Sequence, residues 1–159
     1  MGALGWFLLI AGIVAVGIGG LIVWRNRRRS NWDANARALA DDTRTAGRIG
    51  LPPVLTATSL AERGVVWPPR RADLVNLAGN WGRLAEGGPD QARRDRALQV
   101  RGLILDLVAA IDAETEALAA GRDWSLLRPR VNDAEEALFA ALADQPVQGA
   151  AAEPPTSPL

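Results

Sequence analysis

The feature that most constrains this chain is an uncharged, mostly apolar run from Ala3 to Trp24, followed directly by Arg25-Asn26-Arg27-Arg28-Arg29. Its twenty-two residues would span roughly 33 Å as an α-helix, against a hydrocarbon core of about 30 Å. Trp6 and Trp24 are about 27 Å apart along such a helix, which suits two rings at opposite interfaces. The run therefore predicts a transmembrane anchor over residues 1–24, with Trp6 and Trp24 at the two membrane interfaces.

A cleaved signal peptide is the alternative for this run. Such a peptide has basic residues before an apolar core of about 7–15 residues, and a small-x-small cleavage site after it. Here the basic residues follow the run, the run is longer, and no Ala-x-Ala follows Trp24. These three differences favour a retained anchor.

The basic juxtamembrane segment, residues 25–31, predicts the orientation. No Lys or Arg precedes the apolar run, whereas Arg25, Arg27, Arg28 and Arg29 follow it. The positive-inside bias then predicts a single-pass protein of the inner (cell) membrane, with its N-terminus outside and the rest in the cytoplasm. These arginines are expected at the membrane interface as a stop-transfer signal; attraction of anionic lipid headgroups is the alternative.

Small residues form one face of the predicted span. Ala11, Ala15 and Gly19 recur at every fourth position, so another helix could approach closely there. The face is a candidate helix–helix contact, including contact with a second copy of the chain. The alternative is that glycine is simply common in membrane helices.

The residue inventory excludes most catalytic and metal chemistry. The chain has no Cys, His, Lys or Tyr, so thiolate nucleophiles and His-containing di-metal bundle sites cannot form. The acidic residues Asp112, Glu114, Glu116 and Glu135-Glu136 are expected mostly on solvated outward faces, with an all-carboxylate Mg²⁺ or Ca²⁺ site as the alternative. We therefore expect no enzymatic activity, no cofactor and no metal site.

The charge distribution argues against nucleic acid as a partner. All eighteen basic residues are Arg and balance eighteen acidic ones, so without the four juxtamembrane arginines fourteen face eighteen, a balance of −4. Nucleic-acid binding requires a basic face. The segment Arg93-Arg94-Asp95-Arg96 at a predicted helix start is interpreted as an exposed mixed-charge turn, with an acidic partner or lipid surface as the alternative.

The spacing of apolar residues predicts an all-α fold, with a cytoplasmic bundle of three to four helices over residues 32–144. The longest helix is expected at about 90–120, at the centre of the bundle. Its apolar seam consists of Ala97, Val100, Ile104, Leu107, Ile111, Thr115 and Leu118. Other helices are expected from Pro68 or Pro69 to Gly87 and from Pro129 to Asp144. Residues 145–159 lack a periodic pattern and are predicted to be a disordered tail.

The spacing of apolar residues predicts two segments less clearly: the start of the first cytoplasmic helix and residues 53–67. The first cytoplasmic helix is expected to begin near Trp32 with Ser30 or Asn31 as its cap, unless the membrane helix continues through residues 25–31 as a stalk. Residues 53–63 are expected to form a short helix that Gly64 stops. An extended connector, Val65-Val66-Trp67, would then return Trp67 to the core.

The functional expectation is a membrane-anchored, non-enzymatic protein-interaction or adaptor module whose partners are the lipid bilayer and a protein. An anchor raises the effective concentration of such a module near membrane partners without any catalytic residue. The alternative is an accessory structural subunit of a larger membrane complex, held through Ala11, Ala15 and Gly19.

Overall fold

The computed structural model describes the backbone of residues 3–143 and the side chains of residues 24–143. Over that range the predicted all-α class is confirmed. The elements are α1 (Ala3–Thr45), a π-helical turn (Ala46–Gly50), α2 (Pro52–Thr56), α3 (Leu60–Glu86), α4 (Gln91–Ala119), a 3₁₀ turn (Trp124–Leu127) and α5 (Arg128–Ala143). The predicted tail at 145–159 lies outside the described residues, as do the side chains of Trp6, Ala11, Ala15 and Gly19.

A membrane span is not found in the part of the chain whose side chains are described. No helix of residues 24–143 is both long and apolar enough to cross a bilayer. The side chains of the predicted span, apart from Trp24, lie outside those residues.

Helix α1 continues without a break through the arginine-rich segment, so the expected new helix start at Ser30 or Asn31 is wrong and the alternative of a continuous helix through residues 25–31 is confirmed. The physical reason is that no glycine or proline occurs between Gly20 and Gly47, so nothing interrupts the hydrogen-bond ladder. The buried face of its last turns consists of Trp32, Ala36, Ala40 and Thr43.

The π-helical turn after α1 brings the backbone close to α5. A Cβ atom added to Gly47 would lie 2.6 Å from Cζ of Phe139, so only glycine fits without movement of the ring. This close approach seats the end of α1 against α5.

The predicted connector at residues 65–67 is wrong, because these residues belong to α3. Helix α3 begins after Ser59, whose hydroxyl accepts a hydrogen bond from the backbone N–H of Glu62 at 3.2 Å, and it continues through Pro68 and Pro69. Both prolines are exposed, so carbonyls left without a helical partner can bond to water. The expectation that Trp67 enters the core is confirmed, since only 4% of it is exposed.

Helix α4 lies at the centre of the bundle, as predicted, and packs against α3, α5 and the 3₁₀ turn. Five residues of its predicted seam are buried: Ala97, Val100, Ile104, Leu107 and Ile111. Thr115 and Leu118 are half-buried. Gly121 follows the helix with φ of +64°, a conformation that glycine adopts without strain.

Candidate functional site at the base of the bundle

The predicted interface residues of α1 divide into an exposed group and a docked one. Trp24 is 60% exposed, and the guanidinium carbon of Arg28 lies 5.7 Å from the centroid of its ring, a cation–π contact. Arg25 and Arg27 are also exposed. Arg29 differs, because its Nε lies 3.6 Å from Oδ2 of Asp90, just before α4. The first turn beyond the predicted anchor is therefore attached to the bundle.

A network of charged hydrogen bonds continues from this contact. Arg93 donates from Nε and Nη2 to the two carboxylate oxygens of Asp33, at 2.8 and 2.9 Å, and from Nη1 to Oδ2 of Asp90 at 2.7 Å. The bidentate geometry is the one in which a guanidinium and a carboxylate interact most strongly. Arg93 thus joins α1 to the start of α4.

Trp32 adds a largely buried aromatic contact between α1 and the end of α3. Its indole Nε1 donates to the backbone carbonyl of Leu84 near the end of α3, at 2.9 Å, and 8% of the residue is exposed. The guanidinium carbon of Arg93 lies 5.8 Å from the centroid of the Trp32 ring. We call the set Arg29, Trp32, Asp33, Leu84, Asp90 and Arg93 the α1 clamp.

The electrostatics of the clamp are internally balanced. Burial alone would raise the pKa of Asp90, but hydrogen bonds from the Arg93 backbone and guanidinium, with the charges of Arg93 and Arg29, lower that pKa below its ordinary value of 3.8. The hydrogen bond to Asp33 raises the pKa of Arg93 above its ordinary value. The carboxylate of Asp90 acts in the same direction, and burial acts in the opposite direction. The interpretation of Arg93 as part of an exposed turn is therefore wrong, because Arg93 bonds to Asp33 of α1 and to Asp90, the residue that caps α4. Arg94 and Asp95 are exposed as expected.

We expect Asp90→Asn to remove an acid-dependent part of the stability. The lowered pKa means that the charge of Asp90 stabilises the folded chain above about pH 3.8 and that this contribution is lost as the pH falls through the lower folded value. Asn preserves the helix cap through its Oδ1, while the charge is lost together with the hydrogen bond that Oδ2 accepts from Arg93. In thermal unfolding of the full chain in detergent micelles, the advantage of the wild type over the variant should be constant above that pH and shrink below it. Asp106→Asn, at an exposed carboxylate, is the control; an advantage that does not change with pH would contradict the expectation.

A second charged cluster is buried, which corrects the expectation that the acidic residues of α4 face outward. Glu114 is 1% exposed, and its Oε1 accepts from Nη2 of Arg63 at 3.0 Å and from Nη2 of Arg128 at 2.5 Å. Arg63 is also 1% exposed and donates to the backbone carbonyl of Ala57 at 3.1 Å. The cluster joins α3, α4 and the start of α5.

Asp112 also faces a neighbouring helix. Its Oδ1 accepts from Nε1 of Trp67 at 2.8 Å, and Nε of Arg71 lies 3.0 Å from Oδ2. Glu116 and Glu136 are exposed, as expected, and Glu135 is half-buried. Sequence reasoning missed Arg63 as a partner because 51 positions separate it from Glu114. The only local signal was the placement of two carboxylates near the apolar seam of α4.

The acidic groups of the charged clusters are bonded to arginines, which do not exchange protons near neutral pH. Within residues 24–143 no group of three or more carboxylates could hold a metal ion. The clusters link α1, α3, α4 and α5 through side-chain hydrogen bonds.

Two open grooves lie on the surface of the described bundle. The larger, about 690 Å³, lies between the end of α1 and α5 and has both Arg48 and Glu136 in its lining. The second, about 410 Å³, lies between the end of α3 and the start of α4, next to the α1 clamp, and its lining includes Arg83, Arg94 and Arg101.

Comparison of the chain with protein-family models, curated proteins and solved structures finds no match.

Proposed function

We propose that the chain is a single-pass, membrane-anchored and non-enzymatic helical interaction module. Residues 1–24 would span the inner membrane with the N-terminus outside, and the bundle would lie in the cytoplasm. The observation that supports this most is that α1 runs unbroken from Ala3 to Thr45 and is clamped to the bundle directly after the arginines. A span continued as a docked helix would hold the bundle in a fixed orientation at the membrane surface.

Exposed apolar side chains at the end of the bundle farthest from the clamp favour a protein partner. Leu60 begins α3 and Leu84 in the clamp lies near its end, a separation of about 36 Å along the helix. Near that far end Val65 is 74% exposed, and Leu126, in the 3₁₀ turn, is 76% exposed. Apolar side chains held away from the membrane would provide contacts for a cytoplasmic protein, while the anchor raises its effective concentration.

Cysteine accessibility mapping tests the membrane topology. The chain contains no cysteine, so an introduced cysteine is the only thiol that can be labelled. A single cysteine at Gly2→Cys should react with a membrane-impermeant maleimide in intact cells. A cysteine at Thr58→Cys, an exposed position between α2 and α3, should react only after permeabilisation. Labelling of Thr58→Cys in intact cells would overturn the orientation, and a mature mass lacking the first two dozen residues would overturn the anchor.

An accessory structural subunit is the second candidate, and the recurrence of Ala11, Ala15 and Gly19 favours it. In that case the span would contact another helix, from a second copy or from another protein. Oxidative crosslinking of Ala11→Cys in membranes tests for a second copy, because the disulfide needs a thiol on each chain: a doubled mass indicates a homo-oligomer. Absence of the crosslinked dimer would argue against a homo-oligomer held through this face.

A further inference from the structure

The groove between α3 and α4 is lined by an unbalanced set of charges. Arg83 comes from α3, and Arg94 and Arg101 come from α4, seven positions apart and hence on the same face of that helix. Glu86 contributes the one carboxylate of the lining, so the groove carries a balance of about two positive charges.

These three arginines differ from those of the clamp. Among the residues whose side chains are described, none of the three forms an ion pair with a carboxylate. Arg94 donates from Nε to the backbone carbonyl of Gly88 at 3.0 Å, and Arg83 donates to the side-chain oxygen of Asn80. Both contacts orient a guanidinium without neutralising it. The groove thus presents a balance of about two positive charges, and its arginines are not paired with carboxylates among the described side chains.

Two glycines lie in the lining of the groove. A Cβ atom added to Gly82 would lie 3.5 Å from Cδ of Arg101, so the arginine stem rests against the glycine. Nothing lies within 4 Å of the corresponding position at Gly79. Leu98, 47% exposed, adds an apolar edge between Arg94 and Arg101. The lining therefore combines guanidinium groups with an apolar rim.

The position of the groove depends on the proposed anchor. Asp90 contacts Arg29, five residues after Trp24, or about 7.5 Å along α1. The headgroup layer of each leaflet is about 5–7 Å thick, from the difference between the whole bilayer and its hydrocarbon core. The end of the groove nearest Asp90, with Arg94, would then lie at the outer edge of the headgroups of the inner leaflet.

We propose that this groove binds the phosphate headgroup of an anionic lipid of that leaflet, with Arg94 and Arg101 as its main contacts and Arg83 on the opposite wall. Guanidinium groups bind phosphate through paired N–H donors. This proposal rests on the proposed membrane anchor. The bundle would then bind anionic lipids selectively, in addition to its proposed contact with a protein partner.

The test uses the full chain in vesicles of phosphatidylcholine with a minor fraction of phosphatidylglycerol. Native mass spectrometry of the released protein gives the ratio of bound phosphatidylglycerol to bound phosphatidylcholine. We expect the double variant Arg94→Gln/Arg101→Gln to lower that ratio by about fivefold for each arginine, the factor that one basic residue near an anionic surface contributes. The matched control, Arg122→Gln/Arg130→Gln, removes two exposed charges near the other end of α4 and should leave the ratio unchanged.

Each other outcome is decisive. If the double variant keeps the wild-type ratio while Arg25→Gln/Arg27→Gln/Arg28→Gln lowers it, the exposed arginines of α1 account for the preference and the groove proposal is wrong. If the wild-type protein shows no preference for phosphatidylglycerol yet retains bound inorganic phosphate that the double variant loses, the groove binds the free anion rather than a lipid, and the proposal is also wrong. Flotation with the vesicles tests the membrane anchor separately. If the protein floats but shows no groove-dependent lipid preference, the anchor is supported and the groove proposal is wrong. If the protein never floats, both the anchor and the groove proposal are wrong.

Discussion

Replacing Glu114 with alanine is expected to lower the free energy of unfolding by about 3–5 kcal/mol, because it leaves the guanidinium of Arg63 buried without a counter-charge. Both side chains are 1% exposed. Nε and Nη1 of Arg63 already lack hydrogen-bond partners in the described structure, so loss of the carboxylate leaves only the carbonyl of Ala57. Arg128 is 22% exposed and can turn to solvent, so the cost comes mainly from Arg63.

Thermal and denaturant unfolding of the full chain in detergent micelles measures this loss. Glu116→Ala, two positions along α4 at an exposed carboxylate, is the matched control and should change stability little. The double variant Arg63→Met/Glu114→Met should recover most of the loss, because apolar residues of similar volume replace a buried ion pair at little or no net cost. If Glu114→Ala costs no more than Glu116→Ala, the buried position of Glu114 is wrong.

The features that the sequence predicted correctly depend on local pattern. The α4 seam from Ala97 to Ile111 follows the helical period, and Gly87 and Gly121 mark the ends of α3 and α4. The all-α class needed only this periodicity and the scarcity of β-branched and aromatic runs.

The features that it missed depend on partners far away in the chain. Pattern alone stopped a helix at Gly64 and opened another at Pro68, yet α3 continues because Arg63 and Trp67 lie on the buried face and bond to Glu114 and Asp112 of α4. These contacts offset the lost backbone bonds at the prolines. Tertiary packing outweighs local propensity here.

In the candidate site, too, the sequence predicted the local feature but not the distant contact. The arginine cluster after Trp24 was evident from the sequence, but which of its arginines contacts the bundle was not. Arg25, Arg27 and Arg28 remain exposed, whereas Arg29 turns toward Asp90. Arg29 lies one helical turn before Trp32 and Asp33, the residues that contact the bundle, whereas Arg25 shares that face but lies one turn further from the bundle.

Replacing Trp32 with alanine is expected to lower the free energy of unfolding by about 3–5 kcal/mol and to release α1 from the bundle. The ring is 8% exposed, donates to the carbonyl of Leu84 and lies under Arg93. Truncation removes the apolar contact and leaves the Arg93–Asp33 pair more exposed to solvent, where such pairs contribute little. Trp24→Ala, at a ring that is 60% exposed, is the control and should be nearly neutral.

The consequence for orientation can be measured separately from stability. Spin labels at Asn26→Cys and Ala92→Cys, both exposed positions on the two sides of the clamp, should give one narrow distance distribution in the otherwise cysteine-free chain. Adding Trp32→Ala should broaden it, whereas Trp32→Phe, which keeps the ring but loses the N–H donor, should broaden it less. A distribution that stays narrow in the alanine variant would show that Arg29, Asp33 and Arg93 hold the helix without the indole. The apolar half of the clamp would then be dispensable for presenting the bundle at a fixed angle to the membrane.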